Sequence, residues 1–380
     1  MAESPFLRTP LAEGERFADR IAELARLDEC WKTRGSALVL YGPRRMGKSA
    51  LLAEAARRLR QGGRAVVVVD LGTAVDAPNA VRRLLTAVRD GVGHTWRSLM
   101  QGVAAKLRLS LTLTPNPDGT GLPGLSLSFD QATPASQLFT DALVAVNDEL
   151  VKRRMHLALG IDEFQRLLEW GGTDVEWALK SVLERHGRIS YVLAGSATTL
   201  IEEMVTNRER ALWKLADYLS LGPIPAGEFA QWIVARTARG RTKISAPAAE
   251  RIVTLSGPRT RDVITLAHAV WRDATLSGRS ANADRALDAL IDETAAPSER
   301  TWDQCTQREQ RLLRLLASDP AVELTADAIR RRHALGAASS VGVALSGLRK
   351  KGLLDAAPGR PMFEDPFFRR WVQRETTQDL

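Results

Sequence analysis

The sequence predicts an α/β fold built on a parallel sheet, followed by an all-helical segment and a helix-turn-helix segment. Three observations carry that expectation. Short apolar runs, of which Ala65–Val69 is the clearest, have the length of strands buried on both faces. A glycine-rich segment sits between one such run and a helix. From Ala226 to about Glu293 the pattern is helical, punctuated by Pro247 and Pro258.

In chain order, Gly14 to Arg34 reads as a helix, because Phe17, Ile21, Leu24 and Leu27 recur at three- and four-residue spacing. A strand over Ala37–Tyr41 precedes the glycine-rich turn, and a helix from Lys48 to Arg60 closes at Gly62-Gly63. Ala65–Asp70 gives the second strand, so the unit is strand–helix–strand. Residues 80–103 read as one helix. Between Leu107 and Phe129 the pattern changes: Leu109, Leu111 and Leu113 alternate with polar residues, and alternation resumes at Leu125 after a Pro/Gly turn. That predicts an inserted hairpin or flap. Helices over Ser136–Arg153 and Val175–His186 lead to strands at His156–Ile161 and Ile189–Ala194. Pro297-Ser298 reads as a joint between domains.

Composition excludes several classes. The chain has 380 residues, of which 44% are hydrophobic, with no apolar run long enough to cross a membrane. Two cysteines make no disulfide framework, and Met1-Ala2-Glu3-Ser4-Pro5 lacks a signal-peptide pattern, so a cytoplasmic protein is expected. Five scattered histidines give no pair at metal-ligand spacing. The net charge of +8 suggests a polyanionic partner.

Gly42-Pro43-Arg44-Arg45-Met46-Gly47-Lys48-Ser49 matches G-x-x-x-x-G-K-[ST], in the strand-then-helix setting that phosphate binding requires. The glycines let backbone N–H groups curl around phosphate oxygens at a helix N-terminus. ATP contacts are expected from Gly42, Pro43, Arg44, Arg45, Met46, Gly47, Lys48, Ser49 and Ala50, with Lys48 on the β- and γ-phosphates and Ser49 on Mg²⁺. The strand ending at Ile161 is followed by Asp162, expected on Mg²⁺, and Glu163, expected to orient or deprotonate water. Asp70 is the rival metal ligand. Ser196, at the end of the fourth strand, is expected either to contact the γ-phosphate or water, or to cap the next helix.

These segments resemble a bacterial and archaeal P-loop ATPase-domain family of the AAA+ and signal-transducing (STAND) type, distantly similar to origin-recognition ATPases. The resemblance rests on Phe17-x-x-Arg20, Tyr41 to Leu52, Ile161-Asp162-Glu163-Phe164-Gln165 and Ala194-Gly195-Ser196. Leu221-Gly222-Pro223-Ile224-Pro225, Asp365-Pro366-Phe367-Phe368 and Trp371 extend it along nearly the whole chain. It implies a RecA-like core over 1–222, a helical lid over 223–297 and a winged helix over 298–380, acting together as an ATP-driven switch. The sequence departs from the family before Leu221 and in the lid at Ser256–Asp262. The arginine that reaches the γ-phosphate therefore stays open between Arg259 or Arg261 in the lid and Arg208 or Arg210 in the core. A neighbouring copy or a protein partner is expected to complete such a site.

Helix, turn, helix and hairpin follow one another between Thr325 and Phe363, in winged-helix order. Residues 300–380 carry 14 Lys/Arg against 10 Asp/Glu. Double-stranded DNA is the expected partner, with Arg349-Lys350-Lys351 on phosphates. A protein-docking winged helix in a slow signalling NTPase is the alternative.

Overall fold

Side chains alternate across each strand of the first half of the chain, which divides its core into two apolar layers. A computed structural model describes residues 4–6, 14, 17–18, 20–107, 110–114, 124–128, 135–196, 198–355 and 360–378. Leu11–Gly222 form one unit, and Met1–Pro10 with Pro223–Leu380 form a second.

In the first unit, α1 (Ile21–Lys32) precedes β1 (Ala37–Tyr41), and α2 (Lys48–Gln61) leads to β2 (Val66–Asp70). The predicted first helix is shorter than expected. It begins only after Arg20, which is left-handed at φ 80°, and Ile21 is 78% exposed and outside the core. Two helices follow, α3 (Ala77–Gly91) and α4 (Trp96–Leu107), where periodicity predicts one. The chain turns between them at Gly93, whose φ is 64°.

The inserted segment forms a hairpin, with β3 (Ser110–Thr114) antiparallel to β4 (Gly124–Ser128); its tip lies outside the described residues. Then come α5 (Ala135–Lys152), β5 (Leu157–Asp162), α6 (Arg166–Arg185), β6 (Ile189–Gly195), α7 (Thr198–Thr206) and β7 (Asp217–Ser220). The main sheet has the order β2-β5-β6-β1-β7, and all its pairs are parallel. The last strand escapes sequence reading for a physical reason. Its four residues include no apolar run, Asp217, Tyr218 and Ser220 are exposed, and backbone pairing to β1 holds it at the edge.

Val39, Tyr41, Val67, Leu159, Ile161 and Leu193 pack in one layer with α3 to α6. Leu38, Leu40, Val66, Ala158, Val192 and Ala194 pack in the other with α1 and α2. Every strand of this sheet points its carboxyl end to one edge, where Tyr41, Asp70, Asp162 and Gly195 lie.

The helix behind the phosphate-type loop is anchored by a buried carboxylate. Glu54, 0% exposed, accepts hydrogen bonds from Arg57 (2.7 and 2.8 Å), Arg58 (2.7 Å) and the Gly14 N–H (2.7 Å). Burial pushes this acid up, but those donors outweigh it and hold it at about 2. A pKa depressed on folding stabilises the protein above the unfolded value of 4.5 and stops doing so as pH falls towards 2. Glu54→Gln is therefore expected to cost on the order of 3 kcal/mol at pH 7. Urea unfolding as a function of pH checks this: the gap between wild type and variant should close between pH 4.5 and 2.

The second unit holds α8 (Ala226–Thr237), α9 (Ala246–Ser256), α10 (Thr260–Ser277) and α11 (Ala283–Glu293), then α12 (Ala295–Asp303) and α13 (Gln307–Ser318). The joint expected at Pro297-Ser298 is helical, because a proline in the first turn of α12 gives up only an N–H that has no helical partner. Next come α14 (Asp327–Arg332), a turn through Ala334 and Gly336, and α15 (Ala338–Lys350). The wing pairs Leu354 with Phe363, and α16 (Pro366–Gln378) closes the chain.

The lid and winged-helix segments, read from sequence as separate domains, group together with the first ten residues. The Phe6 ring lies 5.8 Å from that of Trp232, and Ser4 Oγ lies 2.8 Å from His268 Nδ1.

Candidate functional site

The glycine-rich loop leaves β1 and folds back on itself before α2. Gly42 adopts φ 152°, and a Cβ there would stand 2.5 Å from the Leu221 carbonyl oxygen, so only glycine fits. Gly47 caps α2 in the left-handed region, and Arg45, two residues earlier, is left-handed too at φ 68°. Such a run of left-handed residues turns successive N–H groups inward and makes an anion-binding concavity.

Lys48 is 5% exposed, and its Nζ donates to the carbonyls of Gly42 (2.7 Å) and Pro43 (2.8 Å). Burial pushes the ammonium pKa down, Glu163 and Asp162 pull it back up, and Arg44 pushes it down again. A buried ammonium whose partners among the described residues are loop carbonyls is poised to exchange them for a stronger anionic partner. Arg44 is exposed, and Ser49 and Ala50 open α2 half-buried.

Two strand ends away, Asp162 is 5% exposed. Burial pushes its carboxyl up to about 6, against the hydrogen bond from Ser49, and the carboxylates of Glu163 and Asp70 add to the rise. Asp70 is paired in register with Asp162 and accepts from the Gly72 N–H at 2.7 Å. Both candidate metal ligands from the sequence thus end neighbouring strands, but only Asp162 touches Ser49. A buried carboxylate whose charge is so disfavoured, beside a hydroxyl, fits a hard divalent cation. The described residues hold no self-sufficient cluster of His, Cys, Asp or Glu. The donor set therefore suits an ion that also takes oxygens from phosphate and water, as Mg²⁺ does.

Glu163 follows in a left-handed conformation, at φ 54°. Its Oε2 accepts from Ser196 Oγ at 2.9 Å and from Gln165 Nε2. Ser196 is thus linked directly to the carboxylate. Gln165 belongs to the Ile161–Gln165 motif, and in the sequence only its two-residue offset from Glu163 signals a role.

Arg20 likewise stands in a motif of the sequence, with nothing there to mark its role. It is 7% exposed, and its Nη2 donates to the Met46 carbonyl (3.3 Å) and the Gly222 carbonyl (2.7 Å). It therefore braces the loop from behind.

The four candidate arginines differ sharply in their surroundings. Arg259 is 7% exposed; it donates to the carbonyls of Phe363 (3.0 Å) and Glu364 and pairs with the Glu364 carboxylate at 3.2 Å. Its guanidinium is committed to the wing of its own unit. Arg261 is exposed. Arg210 is committed too, bridging Glu176 (2.7 Å) and Glu203 (3.4 Å). Arg208 is exposed on the segment after α7, 5.9 Å from the centre of the Trp213 ring.

Residues 17–234 match a family model described as an ATPase domain predominantly from Archaea, and residues 298–374 match one described as a "Probable winged helix domain". The first match covers more than half of the chain. This chain belongs to that ATPase-domain family.

Among solved structures it is similar to a Walker-type ATPase of Pyrococcus abyssi, at 17% identity and TM-score 0.60, covering 97% of this chain and 99% of that one. It is also similar to the ORC2 protein of Aeropyrum pernix in its ADPNP-ADP complexes, at 17% identity and TM-score 0.56, covering 96% of each chain. The ORC1 protein of the same organism, in complex with DNA, matches at 15% identity and TM-score 0.50, covering 97% and 96%. At these identities the likeness is one of fold. No curated protein sequence matches the chain.

In the winged helix, α15 buries one face and exposes the other. Val341 and Leu348 are buried and Val343 is 73% exposed, as the helical spacing requires. Arg349 turns back, however, to donate to the Asp355 carbonyl at 3.1 Å. Lys351 likewise reaches the Gln304 carbonyl (2.9 Å) and the Glu309 carboxylate (2.6 Å). Of the basic run expected on phosphates, Lys350 remains outward, with Arg331 and Arg332 exposed on α14. The cap position of α15 is Ala337, and Ser339 and Ser340 lie in its first turn.

Proposed function

We propose that this protein is a Mg²⁺-dependent ATPase switch whose nucleotide state controls its grip on double-stranded DNA through the winged helix. One observation carries the hydrolytic part: a buried lysine, a serine–aspartate pair and a clamped glutamate converge on one edge of the sheet, within a single family-matched unit.

Backbone N–H groups between Gly42 and Ser49, other than at Pro43, and the Lys48 ammonium would hold the β- and γ-phosphates, with Pro43, Arg44, Arg45, Met46 and Ala50 shaping the loop and its entry into α2. Ser49 and Asp162 would hold Mg²⁺, which when bound neutralises charge on the phosphates. Glu163 would take a proton from water as the water oxygen bonds the γ-phosphorus. The bond to the β–γ bridging oxygen breaks, giving ADP and phosphate.

Arg208 and Arg261 are the two candidate arginines that stay exposed, while Arg210 and Arg259 are committed; Arg208, carried by the nucleotide unit itself, is the one we assign to act on a neighbour's nucleotide. Arg208→Ala is expected to leave ATP affinity unchanged and to lower turnover at least about ten-fold, at concentrations where copies associate. Turnover measured against protein concentration checks this, since a loss independent of concentration would mean that Arg208 does not act between copies.

DNA enters from the winged helix, from the exposed Arg331, Arg332 and Lys350, and from the fold shared with an ORC1 protein solved on DNA. The committed Arg349 and Lys351 favour the second reading, in which the winged helix docks a protein. The test is ATP turnover and duplex retention at low salt, where phosphate contacts are strongest. Retention that depends on the bound nucleotide supports the DNA reading. No retention at 20 mM salt, with turnover indifferent to DNA, leaves the protein-docking switch.

A further inference from the structure

Three locally unfavourable features meet at the Glu163 side chain. Glu163 itself is left-handed at φ 54°, a conformation that costs energy in a residue with a Cβ. Gln165 is 8% exposed; its Nε2 is on Glu163, while its Oε1 has no hydrogen-bond partner in the described structure. A buried carbonyl oxygen without a partner forfeits its hydration. Finally, Gly195 makes room for that amide, since a Cβ there would stand 2.4 Å from Gln165 Oε1. Gly195 is the last residue of β6, and Ser196, the other donor to Glu163, follows it.

Buried polar atoms without partners are rare, and those that persist ask for a reason other than stability. Here the reason is geometric: turning the amide over to satisfy Oε1 elsewhere would withdraw Nε2 from the carboxylate.

We infer that Gln165 is a positioning residue for hydrolysis. Together with Ser196 it fixes one carboxylate oxygen of Glu163, so that the other is presented to water. Gly195 provides the berth that lets it do so. This inference rests on the reading of Glu163 as the proton acceptor. On this assignment the effect of Gln165 on hydrolysis passes through the Glu163 carboxylate that its Nε2 holds.

The test uses the full chain and the volume-conserving Gln165→Met, which removes the donor and the orphaned acceptor together. Phosphate release is measured under single turnover, ATP affinity by titration, and thermal unfolding in parallel. The expected results are a ten- to hundred-fold loss in the hydrolysis rate, ATP Kd within two-fold of wild type, and a Tm equal to or above wild type. In a Glu163→Gln background, adding Gln165→Met should change the residual rate by less than two-fold.

A Gln165→Met protein that hydrolyses ATP at the wild-type rate, or whose Tm falls by more than 5 °C by the ~4–8 °C per kcal/mol scale of small domains, overturns the inference. In the first case the reading of Glu163 stands, provided Glu163→Gln is inactive. If Glu163→Gln itself turns over normally, the reading fails and the inference with it.

Discussion

Lys48→Met will bind ATP about 10²- to 10⁴-fold more weakly than wild type while folding as well. Each charge-assisted hydrogen bond from the ammonium to a phosphate oxygen is worth roughly 1.5–3 kcal/mol. Two of them set the scale of the loss. The second half of the prediction comes from the nucleotide-free geometry. Lys48 is 5% exposed, burial disfavours its charge, and among the described residues its hydrogen bonds go to two carbonyls of its own loop. Replacing such a group by an apolar side chain of similar volume removes its desolvation cost along with its hydrogen bonds, so the stability change is expected within about 1 kcal/mol. Isothermal titration with ATP and urea unfolding of the same preparation check both halves. Weak binding caused by misfolding would show as a lowered unfolding midpoint.

Glu163→Gln will retain ATP with an affinity within a few-fold of wild type and hydrolyse it about 10³-fold more slowly. A positioned general base contributes roughly 10²–10⁴ in rate. The amide keeps the shape of the side chain and an acceptor oxygen for Ser196, but it cannot take a proton. The variant should therefore accumulate in the ATP-bound form. Chromatography of the nucleotide released from protein incubated with ATP checks this: ATP should dominate for the variant and ADP for wild type. If the DNA reading holds, that trapped form is also the one whose grip on duplex should differ most from the ADP form.

Much of this was legible in the sequence because the relevant signals are local. The loop Gly42 to Ser49 must be contiguous to wrap a phosphate, and Asp162-Glu163 must end a strand, so both announce themselves in a linear reading. The strands β1, β2, β5 and β6 are buried on both faces and appear as apolar runs. The edge strand β7 is exposed and polar, and only its pairing with β1 reveals it.

The contacts around the site were illegible for a different reason. Arg20 meets Met46 and Gly222 across separations of 26 and 202 residues, and Ser196 meets Glu163 across 33. Nothing in spacing or residue type marks such pairs in advance. The same holds for the arginines: Arg208 and Arg210 look alike in sequence, and only the buried Glu176 beside Arg210 separates them. Arg259 was expected near the nucleotide because of its place in the lid. Its guanidinium meets Glu364, 105 residues further along, a pairing that no sequence spacing announces.

The central claim is that this sheet edge hydrolyses ATP with Glu163 as the proton acceptor. The most direct measurement is phosphate release at saturating Mg²⁺ and ATP, for wild type and Glu163→Gln, with bound nucleotide quantified in the same samples. The account predicts that both proteins fill with nucleotide, that wild type releases phosphate steadily, and that the variant releases about a thousandth as much. Equal phosphate release from the two proteins, or a wild type that fills with ATP and releases none, would contradict it.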